Sequence, residues 1–168
     1  MSLLSADAAD FAPRGRPLPN RVYLATVEEV SINELDNGTQ LARRYGNLRT
    51  EQGAGEFELP DGSTFTIGNR KVFHRSWIDH KVELAAKIGQ GEIKREAVAA
   101  GLMKKPEKGA TTTLDFESWP SYAEALAGKD VKIRTKQVKR LGKDRKTVMK
   151  DDDGREIIDV EVAEWLPV

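Results

Sequence analysis

A mainly-β fold with a helical insertion is what the sequence predicts, and three observations carry it. Alternating runs of β-formers lie toward both ends of the chain, at residues 21–32 and again at 130–138 and 155–166. Compact turn signatures, Asp36-Asn37-Gly38 and Pro60-Asp61-Gly62, punctuate the first half. Between these regions, over about residues 70–103, the apolar spacing changes from a period of two to a helical one. At 168 residues the chain suits one domain with a real core. That domain spans 21–168, behind a flexible arm of residues 1–20 that carries prolines at 13, 17 and 19.

The elements follow in order. "RVYLATVEEVSI" from Arg21 is the first strand, with Tyr23, Ala25 and Val27 on one face and Val22, Leu24 and Thr26 on the other. After the Asn-Gly turn, "TQLARRYGNLR" reads as a second strand, a helix being the alternative. "EFELPDGSTFTI" is a short hairpin about its Pro-Asp-Gly turn. Phe73, Trp77, Leu84 and Ile88 then fall on one helical stripe, which predicts a helix whose rings face the core and which stops at Gly89. "EIKREAVAAGLM" is a second short helix, with Gly101 near its end. "SYAE" at 121–124 has the form of a capping box and predicts a brief helix to about Ala127. "DVKIRTKQV" and "REIIDVEVAEWL" are the last two strands, joined by a basic loop at 139–154.

Strands, helical segment, strands is the order of a five-stranded Greek-key β-barrel, the OB-fold, with a helical insertion between strands three and four. A generic α+β sandwich is the alternative. "ELAAKIGQGEIKREAVAAGL" looks superficially like a helix-turn-helix, but Arg95 stands where an apolar residue should pack.

The composition narrows the function. With no cysteine, the chain has no disulfide, thiolate metal site or cysteine nucleophile, which fits a reducing cytoplasm. No apolar run approaches the roughly 18 residues of a membrane span, and the N-terminus lacks the form of a signal peptide. Lys plus Arg balances Asp plus Glu at 27 each, so bulk charge does not attract nucleic acid. The signs are nevertheless segregated. Lys132, Arg134, Lys136, Lys139, Arg140, Lys143, Arg145, Lys146 and Lys150 precede Asp151, Asp152, Asp153, Glu156, Asp159, Glu161 and Glu164.

Cations beside aromatic rings can hold phosphates and stack bases. Arg43, Arg44, Tyr45 and Arg49 offer that pattern on the second strand, with Tyr45 as the stacking candidate. In "RKVFHRSW" the rings are assigned to the core, leaving Arg70, Lys71 and Arg75 as a charged rim. The cations of the fourth strand and its loop have two readings: a phosphate-binding face, or pairing with the acids of the fifth strand. His74 and His80, with Asp79 and Glu83, are poorly spaced for a metal site, and no cofactor is expected. No nucleophile–base–acid grouping stands out, so no enzyme is expected.

"PLPNRVYLATVEEV", the mid-chain helix and the closing "LAGKDVKIRTKQVK … DGREIIDVEVAEWLP" resemble small phage-encoded single-stranded-DNA-binding proteins of the OB-fold type. The resemblance implies binding of single-stranded DNA, or RNA, without sequence specificity in phage DNA replication or recombination. That work would be done in the host cytoplasm, with host or phage replication proteins as partners and homo-oligomers in reach. The contacts it implies are Arg43, Arg44, Tyr45 and Arg49, and Lys132, Arg134, Lys136, Lys139, Arg140, Lys143, Arg145 and Lys146, to which the residue pattern adds the rim Arg70 and Lys71. Many such proteins end in an acidic tail, whereas this chain ends "EWLPV". The alternative is a phage accessory or inhibitor protein that docks its segregated charges on a host enzyme.

Overall fold

The computed structural model describes residues 16–168. Its strands are β1 (Val22–Leu35), β2 (Gly38–Arg49), β3 (Glu56–Glu58), β4 (Thr64–Thr66), β5 (Val72–His80), β6 (Asp130–Lys139) and β7 (Ile158–Leu166). Helices α1 (Glu83–Ala99) and α2 (Trp119–Leu126) lie between β5 and β6. Five strands form one antiparallel sheet in the order β5-β2-β1-β6-β7, and β3 and β4 pair as a separate hairpin. The sheet is not closed into a barrel: β5 and β7 are its edges, with no ladder between them.

Both predicted hairpins form. β1 and β2 turn through Asp36 and Asn37, with Leu35 opposite Gly38. Gly38 is required there, because a Cβ would stand 2.3 Å from the Asp79 carbonyl oxygen. The inward face of β1 carries Tyr23, Ala25 and Val27, then Val30 and Ile32. An extra residue, Glu28, lies between the pairs Val27–Tyr45 and Glu29–Arg44, and this bulge keeps both halves of the strand facing the core. Leu41, Tyr45, Val131, Ile133, Val162 and Trp165 complete the sheet side, and Ile93, Ala97, Tyr122 and Leu126 the helical side. Each such aliphatic or aromatic side chain contributes about 1.5–3 kcal/mol through burial.

The segment Val72–His80 overturns the helical expectation. It is strand β5, with Val72, His74, Ser76 and Ile78 inward and Phe73, Arg75 and Asp79 outward. Two of the inward residues are polar, which hides the alternation from a hydropathy reading. Phe73, Leu84 and Ile88, expected in the core, are 62%, 67% and 57% exposed.

The two predicted short helices are one, α1, which runs through Gly89 and Gly91. Gly89 is a contact and not a stop. A Cβ there would meet the Trp77 backbone, 2.3 Å from its oxygen and 2.4 Å from its nitrogen, so only glycine lets α1 lie this close to β5. The α2 cap also differs: Ser118, not Ser121, is the N-cap and accepts from the Ser121 amide at 3.2 Å. Pro120 in the first turn suits that start. Residues 1–15 of the expected arm lie outside the described residues. Residues 16–20 are anchored: Leu18 is buried, Pro19 O accepts from the Tyr23 hydroxyl at 2.8 Å, and Asn20 Oδ1 accepts from the Gln137 amide at 2.7 Å. No helix among the described residues is long and apolar enough to cross a membrane.

The two helical glycines are expected to respond oppositely to alanine. Gly89→Ala should destabilise by about 1–3 kcal/mol through overpacking against Trp77. Gly91→Ala, whose Cβ would meet nothing closer than an Arg95 nitrogen at 3.4 Å, should stabilise by about 0.5–1 kcal/mol. Urea midpoints at a common slope would measure both.

Candidate nucleic-acid interface

The site begins with the β5 alternation. Phe73 and Arg75 stand on the outer face of β5, and Trp77 follows in the same register, half-buried with its ring 4.4 Å from that of His80. Across on β2 their partners are Arg44, Ala42 and Gln40, and beyond Ala42 on β1 is Ser31. The small side chains of Ala42 and Ser31 leave a concavity of about 200 Å³ bordered by Arg44, Phe73 and Arg75. A larger groove of about 720 Å³ occupies the open seam between β5 and β7, lined by Lys71, Phe73, Arg75, Arg140 and Asp159, with His74 and Glu92 among its walls. Phe73, His74 and Arg75 belong to both concavities, so the two are neighbours along β5.

Beneath this surface runs a chain of buried polar contacts. The Trp165 indole N–H donates to the Tyr45 hydroxyl at 2.8 Å, and that hydroxyl donates to Glu96. Arg43 Nε donates to the same carboxylate at 2.7 Å, and Arg43 Nη1 to Leu41 O at 3.0 Å and Ser76 Oγ at 2.8 Å. Ser76 Oγ then donates to Glu92 at 3.0 Å, and His74 Nε2 lies 3.0 Å from the other oxygen of Glu92. The Val162 amide donates to His74 Nδ1 at 3.3 Å, so Nδ1 is an acceptor and the proton resides on Nε2. This contact bridges the seam.

Electrostatics follow burial and partners. Burial, then the Glu96 charge, push the Tyr45 phenol well above its ordinary value. Burial alone would favour the neutral form of Arg43, but Glu96 outweighs it and keeps the guanidinium charged. Burial also pushes the Glu92 carboxyl upward, yet the hydrogen bonds from His74 and Ser76 prevail and hold it below its usual range.

Several expected contacts are therefore relocated. Arg43 and Tyr45 are 2% and 0% exposed and belong to the core, since the inward face of β2 meets α1. Arg44 is at the surface but paired with Glu28 at 3.2 Å and Glu29 at 2.8 Å. Lys71 is held by Glu28 at 2.6 Å, and Arg49 reaches Asp130 at 3.5 Å. Arg70 lies over the Phe65 ring at 4.9 Å.

Of the two readings of the β6 cations, the structure contains the cross-strand pairs. Arg134 meets Glu164 at 3.0 Å, Lys136 meets Glu161 at 4.0 Å and Arg140 meets Asp159 at 2.6 Å. Lys139 pairs with Glu156 at 3.1 Å and Lys132 with Glu51 at 3.7 Å. Each exposed pair is worth about 0–1 kcal/mol. The basic loop is a hairpin arm, bridged at Leu141–Val148 and Lys150–Glu156. At its tip Lys143, Arg145 and Lys146 have no carboxylate partner among the described residues. Asp144 accepts from the amides of Lys146 and Thr147, and hydrogen bonding to Thr147 lowers its carboxyl to about 2.

The outward row Phe73, Arg75 and Trp77 lies where the apolar spacing of the sequence predicts a helix. Reading "VFHRSWI" as a strand with polar His74 and Ser76 inward would have found it. Compared with known protein families and with characterised proteins, the chain matches none.

The buried network generates a stability prediction. Glu96→Gln leaves the Arg43 guanidinium buried without a counter-charge and should cost about 3–5 kcal/mol. The double variant Arg43→Met with Glu96→Leu should lose less than Glu96→Gln alone, because it removes both charges. Denaturant melts of the three proteins would check this.

Proposed function

We propose that this chain binds single-stranded nucleic acid, with DNA as its first substrate, across the outer faces of β2 and β5 and into the β5–β7 seam. The observation that carries the reading is the row on β5. An exposed ring at Phe73 and a half-buried ring at Trp77 flank Arg75, which has no carboxylate partner among the described residues. Four residue steps along the strand separate the rings by about 13 Å. That leaves a base for each ring and a phosphate for the guanidinium between them. Strand order adds support. Counting the long strands β1, β2, β5, β6 and β7 as first to fifth, the sheet runs 3-2-1-4-5. An OB-fold cut open between its third and fifth strands has that order, and its ligand face is strands two and three. The role is then that of a cofactor-free strand-coating protein in phage DNA replication or recombination, acting in the host cytoplasm.

One observation favours a second reading, a phage accessory protein that docks on a host enzyme. Val82, Leu84 and Ile88 are exposed at the start of α1, an apolar group of the kind protein partners cover. Pull-downs from host lysate with and without nuclease separate the two, since partners held through nucleic acid vanish on digestion.

Titration of oligo-dT into the protein at low salt, followed by tryptophan fluorescence, tests the first reading. Phe73→Ala and Trp77→Ala should each weaken binding by about 1–3 kcal/mol. Arg75→Gln should weaken it and flatten the dependence of log K on log salt by about 0.7. Absence of binding by the wild-type chain at low salt would end the proposal.

A further inference from the structure

Two of the surface cations beside Phe73, Lys71 and Arg44, are held by one carboxylate, Glu28. Glu28 is the extra residue of the β1 bulge, and its carboxylate folds down over Gly46 of β2. The fit is so close that a Cβ on Gly46 would stand 1.9 Å from Glu28 Oε1. From there Glu28 takes Lys71 Nζ on both oxygens, at 2.6 and 2.8 Å, and Arg44 Nε at 3.2 Å. Lys71 lines the seam groove and Arg44 the concavity beside it, and Phe73 lines both. The hydrogen bond from Lys71 holds the Glu28 carboxyl below its ordinary value. Arg44 has a further partner in Glu29, whereas Glu28 is the carboxylate that pairs with Lys71 among the described residues.

A phosphate group would seek the same two cations in the same way, through anionic oxygens. Single and double strands both offer phosphates, but only an unpaired strand offers base faces to Phe73 and Trp77. We propose that Glu28 is a specificity-determining residue: by occupying Lys71 and Arg44 it suppresses binding through phosphates alone, and so makes retention depend on stacking. The proposal rests on the nucleic-acid reading above. It gives the close pairing of Lys71 and Arg44 with Glu28 a role at the groove. It also gives Gly46 a reason to lack a side chain, since that space holds the carboxylate.

Two independent changes release the cations. Glu28→Gln removes the charge in place. Gly46→Ala displaces it sterically, and the obstacle it meets is the flexible end of a side chain, not backbone. Glu124→Gln, an exposed change of equal charge on α2 outside both concavities, controls for net charge.

The test is binding of oligo-dT and of a blunt duplex of equal length to all four proteins over a series of salt concentrations, with thermal melts to show that each is folded. Both groove variants are expected to gain duplex affinity and to steepen the duplex salt dependence by about 0.9 for the freed Lys71. Their preference for dT over duplex should fall, while Glu124→Gln tracks the wild type. Adding Glu29→Gln to Glu28→Gln frees Arg44 as well and should roughly double the steepening. If the wild type binds dT but the groove variants match Glu124→Gln, the role of Glu28 is overturned and the stacking face stands. If the wild type already binds duplex as tightly as dT, unpaired bases add nothing to retention, and the stacking face falls together with the role of Glu28. If no protein binds dT at low salt, both proposals fall. Should Gly46→Ala not fold, Glu28→Gln alone decides.

Discussion

The ion pair between Arg43 and Glu96 is the constraint from which much of this fold follows. Both side chains are fully buried, one pointing inward from β2 and the other from α1. Taking either charge out of water alone costs several kcal/mol, so each requires the other and neither element can shift without exposing an unpaired charge. The pair also recruits neighbours. The guanidinium needs further acceptors and finds Leu41 O and Ser76 Oγ, while the carboxylate takes the Tyr45 hydroxyl. Ser76 leads to Glu92, and Glu92 leads to His74. Polar residues on the inward face of β5 are thus consequences of an arginine on β2.

That chain of requirements fixes where α1 lies, and α1 in turn decides what β5 shows to solvent. Glu92 and Glu96 lie one helical turn apart, so α1 reaches His74, Ser76 and Arg43 from one face. Gly89 permits the approach at Trp77, and Gln90 Nε2 donates to Ile78 O at 2.8 Å beside it. With the inner side of β5 committed to α1, its alternate residues must face outward. Phe73 is left in water, where hydrophobicity gives it no stabilising role in the monomer. Phe73 thus stands outward on the strand beside Arg75, which has no carboxylate partner among the described residues.

Sequence reasoning succeeded mostly where the signal was local, the α2 cap at Ser118 being an exception. The Asn-Gly and Pro-Asp-Gly turns, the Tyr23–Ala25–Val27 face and the last two strands depend on near neighbours, and each stands where expected. It failed where a partner far along the chain reverses the meaning of a residue. Gly89 resembles a helix stop until Trp77, twelve residues earlier, is seen against it. His74 and Ser76 break a hydrophobic pattern until Glu92 and Arg43 supply their partners. Arg43 and Tyr45 have the composition of a ligand surface, yet their inward register makes them core. The cations of β6 could be placed on one face from the sequence, but only the β7 register, Lys136 opposite Glu161 and Arg134 opposite Glu164, shows which acids they meet.

The open seam follows from the same logic. A ladder between β5 and β7 would satisfy both edges with backbone hydrogen bonds, and unpaired edges are a liability that folds usually cover. Here the edges are joined by an imidazole: Val162 donates its amide to His74, whose ring also lies edge-on to Trp165 at 5.1 Å. A side chain between two strands holds them farther apart than the roughly 4.8 Å of a paired ladder. The width of the groove is therefore set from within, by His74 oriented by Glu92, and ultimately by the buried pair that places α1. Closing the sheet would mean removing the histidine, leaving Glu92 half-buried without its main donor. The groove is thus the form these edges take with the His74 imidazole set between them.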